Sequence, residues 1–170
     1  IEDALNSRNE VLTNTGTMGS FLSSHDENGF LYNLITEYKE SESWAEKLMR
    51  VAATYQMTEK GQPVIYYGEE LGMTGENNYP QQDNRYDFDW NAYENQKNDP
   101  NSMYSHYKTM LNIRRAYSEV FAKGERYSVV YPNIQETHAN YTTQGYSVFA
   151  RSYEGTTIYV GTNVWGEDRQ

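Results

Sequence analysis

His25, Asp26, Glu27 and Asn28 stand side by side near the end of FLSSHDENGF, residues 21–30. The stretch begins apolar, as a buried strand does, and Gly29 turns the chain directly after the polar group. Parallel sheets bury both faces of their strands and carry their working groups where the strands end. An imidazole and carboxylates at such an end could form the rim of an active site and hydrogen-bond a substrate. The other reading is a loop in which Asp26 or Asn28 merely caps the turn. A second acidic pair, Glu69 and Glu70, follows the apolar run PVIYYG at 63–68.

Two strands with a helix between them would bring these groups to one rim. Met18 to Ser24 reads as the first strand. Ser43 and Glu46 form a capping-box pattern, and Trp44, Leu48, Val51, Ala52 and Tyr55 then recur at helical spacing. Gly61 is placed to stop that helix. PVIYYG, rich in β-branched and aromatic residues between Pro63 and Gly68, reads as a buried strand. Strand, helix and strand make a βαβ unit with a parallel pair. Residues 71–100 are polar and loop-like, but Tyr79, Tyr86, Phe88, Trp90 and Tyr93 argue for order. Pro100 is placed to open a long helix with Met103, Tyr107, Met110, Ile113 and Tyr117 on one face, ended by Gly124. From Glu125 the period becomes alternating, and the runs 146–153 and 156–161, joined by Glu154-Gly155, form a hairpin pattern. Residues 1–12 carry a weak helical stripe, broken by Thr13 to Gly16.

The chain has 170 residues, of which 17 are Tyr, and a net charge of −10. That charge, with an isoelectric point near 4.7, argues against nucleic acid and anionic membrane as partners, since both require a basic footprint. There is no cysteine, hence no disulfide framework or thiolate metal site. No apolar run approaches the roughly 18 residues of a membrane span, and the first residues lack the basic and apolar regions of a secretory signal. Ile1 begins in what reads as a helix already under way, so the expectation is a piece of something longer.

Taken together, these segments resemble the C-terminal part of the α-amylase family of glycoside hydrolases. FLSSHDENGF is similar to that family's motif at the end of the seventh barrel strand, with His25-Asp26 on its His-Asp pair. GQPVIYYGEELGM is similar to the eighth strand, QQDNRYDFDW to the Arg- and Trp-containing loop after it, and YKTMLNIRRAY to the eighth helix. The resemblance implies an α/β fold: residues 1–123 as the end of a (β/α)8 TIM barrel, and 124–170 as the start of an antiparallel β-domain. Departures lie at Glu27, where the family often has Asn or Gln, and in Arg-Tyr-Asp-Phe-Asp-Trp at 85–90, where it often has Arg-x-Pro-Met-x-Trp.

The resemblance further implies a fragment of a retaining hydrolase of α-glucans such as starch, maltooligosaccharides or pullulan. Such enzymes pair a nucleophile with a general acid, roughly 5 Å apart, and the family takes both from strands outside this chain. Asp26 would be the third acid, which stabilises the transition state, and His25 would bind the same sugar. Arg85 and, more loosely, Asp83 would bind substrate from the following loop. The rival reading of Arg85 is a salt bridge with Asp87 or Asp89. Glu69 reads as a hydrogen-bonding group of the rim. The resemblance implies no cofactor or metal in this chain, allows calcium in the full-length enzyme, and suggests an extracellular or cell-surface location. An α-glucan and the missing N-terminal barrel segment would be the partners; the fragment alone should be inactive and prone to self-association. A non-catalytic carbohydrate-binding or scaffold protein on the same barrel is the alternative.

Overall fold

The computed structural model describes residues 7–8, 10–13, 16, 18–130 and 146–163. Most of the stripe read at 1–12 therefore lies outside the described residues. The first strand, β1 (Gly19–Ser20), pairs in parallel with β2 (Gln62–Pro63), with Gly19 opposite Gln62 and Ser20 opposite Pro63. Both are far shorter than the runs 18–24 and 63–67 read from sequence. One more rung follows, Val64 N–H to Ser20 O at 2.8 Å. The side chain of Gln56 then closes the pair from the helix, donating to the carbonyls of Ser20 and Val64.

Between the strands run α1 (Phe30–Thr36) and α2 (Glu42–Thr58). The capping residue of α2 is Ser41, whose hydroxyl accepts from the Trp44 N–H, and not Ser43. With Trp44 three places after the cap, no carboxylate can reach back, so the expected capping box does not form. The buried stripe of α2 is Ala45, Met49, Ala53 and Met57, turned from the one read in the sequence. These residues pack with Leu31 and Leu34 of α1 and with Met103 and Tyr107 of α4 (Met103–Ala116). Alanines at 45 and 53 let the neighbouring helices approach closely. The larger Trp44, Leu48, Val51 and Tyr55 flank the stripe, half-buried.

The polar stretch after β2 is ordered by a 3₁₀ turn (Glu69–Leu71) and by α3 (Trp90–Gln96), which Asp89 caps through the Ala92 N–H. Helix α4 begins at Met103, not at Pro100; Ser102 is its cap, accepting from the Ser105 N–H. It ends at Ala116 and is followed by a separate α5 (Ser118–Lys123), so Gly124 closes the second helix rather than one long one. Only Met103 and Tyr107 of the expected α4 face are buried, while Ile113 and Tyr117 are exposed.

The last sheet is antiparallel, in the order β3 (Glu125–Val130), β4 (Tyr146–Tyr153), β5 (Thr156–Asn163). Glu154 and Gly155 both take positive φ, 46° and 82°, as a type I′ hairpin turn requires. Phe149 and Val160 pack against Phe121 of α5, and Tyr55 of α2 lies along them.

Three arginines converge on the carboxyl end of α2 from three different elements. Arg114 of α4 donates to the carbonyls of Met57, Glu59 and Gly61. Arg126 of β3 pairs with the Glu59 carboxylate at 2.8 Å and lies over the Phe149 ring. Arg151 of β4, with no exposed surface, donates to the carbonyls of Thr58, Phe121 and Gly124. Burial pulls the Arg151 pKa down to about 10, which still leaves it charged at neutral pH. The negative end of the helix dipole and the orphan carbonyls there favour this charge.

Candidate active site

The loop 24–28 leaves β1 at its carboxyl end and doubles back over the segment 76–86. Asp26 is largely exposed, and its carboxylate lies 3.2 Å from His25 Nε2 and 3.4 Å from Arg85 Nη2. Arg85 also donates from Nε to the His25 carbonyl at 3.1 Å. The residues His25, Asp26 and Arg85, read from sequence as one site, thus share one surface. Of the two rival partners of Arg85, Asp89 caps α3, and Arg85 turns to Asp26 instead.

Asp83 does not join them. Its carboxylate takes the Asn78 side-chain amide at 2.8 Å, while its own N–H donates to Asn78 Oδ1. Its geometry is that of a loop clasp. The Glu27 side chain is exposed, and Asn28 Oδ1 accepts the Asn77 N–H at 2.7 Å.

Glu69 is not on the rim. It is 1% exposed and accepts the Tyr107 hydroxyl at 2.8 Å. Burial pushes its pKa up to about 7; the hydroxyls of Tyr107 and Ser23 hold part of the rise back, and Glu70 adds repulsion. Burial and the neighbouring Glu69 also raise the Tyr107 phenol. The Ser23 hydroxyl accepts the Phe30 N–H at 3.0 Å, so this inner group lies directly beneath the loop that carries Asp26.

Sequence reasoning missed Asn84. It is 1% exposed, and its amide donates to the carbonyls of His25 and Glu27, both at 2.9 Å. Among the described residues no group of three or more His, Asp or Glu could hold a metal ion.

This architecture is shared with known enzymes. The fold aligns with the α-amylase of Geobacillus thermoleovorans solved with acarbose, at a TM-score of 0.72 and 23% identity, covering 96% of this chain and 31% of that one. It aligns equally with a MutB variant solved with sucrose, at a TM-score of 0.71 and 19% identity, over 98% of this chain and 38% of that one. These likenesses define an α/β fold of the class that α-amylase barrels have. Residues 1–95 match the family model described as the α-amylase catalytic domain, and the chain belongs to the α-amylase family. Neopullulanase 2 of Thermoactinomyces vulgaris is 28% identical over 148 residues, 87% of this chain and 21% of that protein. α-Amylase 3 of Dictyoglomus thermophilum is 33% identical, over 38% of this chain and 17% of that protein. The chain spans about a fifth of the length of these two curated relatives.

Proposed function

We propose that this chain is the closing part of the catalytic (β/α)8 barrel, with the start of an antiparallel β-domain, of a retaining glycoside hydrolase acting on α-glucans. The reading rests above all on one observation: an exposed carboxylate, Asp26, held between His25 and Arg85 beyond the carboxyl end of a parallel strand pair. In the transition state the sugar ring gains oxocarbenium character, and hydrogen bonds to its 2-hydroxyl strengthen. A carboxylate already oriented by two neighbours opposes that charge without having to reorganise first. Arg85 contributes orientation, and His25 a second hydrogen bond to the same sugar. The nucleophile and the general acid come from other strands of the barrel, so the 170 residues alone release no reducing sugar from starch or pullulan.

The experiment is substitution within the complete enzyme. Asp26→Asn keeps the shape and removes the charge, so kcat should fall at least about a hundredfold, or roughly 2.7 kcal/mol. His25→Ala should cost less and raise KM as well, since its contact exists already in the ground state. An Asp26→Asn enzyme with intact kcat overturns the assignment; a complete enzyme that binds but does not cleave α-glucans overturns the activity.

A further inference from the structure

Asn84 has 1% of its surface exposed and sits under the loop that carries Asp26. Its side-chain amide faces three carbonyls of that loop, His25 and Glu27 at 2.9 Å and Ser24 at 3.4 Å. An amide nitrogen has two hydrogens, so the two short contacts each take one, and the longer contact to Ser24 shares one of those two as a bifurcated bond. The orientation follows from the acceptors: a flipped amide would aim Oδ1 at three oxygens. The backbone of Asn84 is equally committed. Its N–H donates to the Glu76 carbonyl at 3.0 Å, and its own carbonyl accepts the Tyr66 hydroxyl at 3.1 Å.

The segment can come this close because position 75 is glycine. A Cβ there would stand 2.1 Å from the Asp83 carbonyl oxygen and 2.8 Å from the Asn84 nitrogen. Gly29 N–H also bonds to the Gly75 carbonyl, at 2.9 Å, which ties the far end of the loop to the same segment.

Around Asp26 itself the backbone has no unpaired group. Its N–H donates to Ser24 Oγ at 3.2 Å, and its carbonyl accepts the Asn77 amide at 2.6 Å. The carbonyl before it, that of His25, is held by both Asn84 and Arg85. An exposed side chain therefore stands on a backbone fixed from beneath. Of the groups that fix it, Asn84 alone is buried and reaches both sides of Asp26.

We infer that Asn84 is a positioning residue, which sets where the Asp26 carboxylate stands by gathering the carbonyls of Ser24, His25 and Glu27 around one amide. The inference rests on the glycosidase reading for its catalytic consequence, but not for its structural one. Misplacement of a reacting group by about 1 Å costs on the order of a hundredfold in rate.

Two variants test it: Asn84→Asp, close in shape but with a carboxylate aimed at three carbonyls, and Asn84→Ala. In the complete enzyme, amide hydrogen exchange resolved by residue should rise at least about tenfold at Asp26, Gly29 and Asn77, with α2 and α4 changed less than about twofold. In the complete enzyme, Asn84→Asp should lower kcat at least about tenfold while KM moves less than about threefold. Unchanged exchange at the three amides overturns the inference. So does a rise of equal size throughout α2 and α4, or the loss of the fold in both variants, because either makes Asn84 a general support. A complete wild-type enzyme without activity on α-glucans removes the glycosidase reading, and the exchange measurement still decides whether Asn84 fixes the loop.

Discussion

Replacing Glu69 by Gln should remove a pH dependence of stability that the wild-type chain carries in its core. Folding raises the pKa of this carboxyl from an ordinary 4.5 to about 7, chiefly through burial. Below pH 4.5 the group is protonated in both states, and its contribution is fully present. Between 4.5 and 7 the unfolded chain gives up the proton while the folded chain keeps it, so stability falls as pH rises, and above 7 the loss is complete. At 1.36 kcal/mol per pH unit the gap from 4.5 to about 7 amounts to about 3 kcal/mol. With 1% of the residue exposed, solvent screening takes little from that figure. A glutamine keeps an oxygen for the Tyr107 hydroxyl and has nothing to titrate. Urea unfolding of both proteins, followed from pH 4.5 to 8, should show the variant gaining about 3 kcal/mol on the wild type across that range. His106, whose pKa burial lowers, biases stability in the opposite sense, but it is common to both proteins and cancels in the comparison. Two stability curves running parallel across the window would refute the reasoning, since Glu69 would then be ionised in the fold at no cost.

Other outcomes follow from contacts described above. Arg151→Leu should lower unfolding free energy by about 3–5 kcal/mol, because three buried carbonyls lose a charged donor; a loss under about 1 kcal/mol in urea unfolding would contradict this. Ser41→Ala should cost about 1 kcal/mol through the lost cap of α2, while Ser43→Ala should be close to neutral, as thermal melts of the two would report. In the complete enzyme, Glu27→Gln should reduce kcat less than Asp26→Asn does; the reverse order would mean the wrong acid has been assigned.

What was legible in the sequence was whatever local pattern alone controls. The hairpin could be read because Glu154-Gly155 sits between two alternating runs, and a two-residue loop with positive φ leaves the strands one register. The grouping of Asp26 with Arg85 came from the family resemblance rather than from spacing. The α2 stripe was misread because Trp44 and Tyr55 outweigh Ala45 and Ala53 in hydrophobicity, whereas close helix packing favours the smaller residues. Ser43 drew the cap because Glu46 completes a capping-box pattern with it, whereas in the fold the helix has already begun at Glu42 and Ser41 caps it. Asn84 lay hidden because an asparagine in a polar loop reads as a turn former. Its acceptors lie 57 to 60 residues away along the chain. Arg151 occupies a position in an alternating strand where a charge signals solvent, and its partners belong to α2, α5 and the turn after α5.

Arg126 and Arg151 are direct cross-strand partners in the β3–β4 ladder, two like charges placed opposite one another. In an isolated hairpin that placement opposes pairing. Here Glu59 answers one charge and the carbonyls around the end of α2 and α5 answer the other. For recombination among relatives, whether in evolution or at the bench, strands β3 and β4 do not transplant as a self-sufficient cassette. A graft must carry the last turn of α2 along with them, or exchange both arginines for neutral residues. A chimera that joins these strands to a foreign helix end inherits an unanswered pair of cations at its seam.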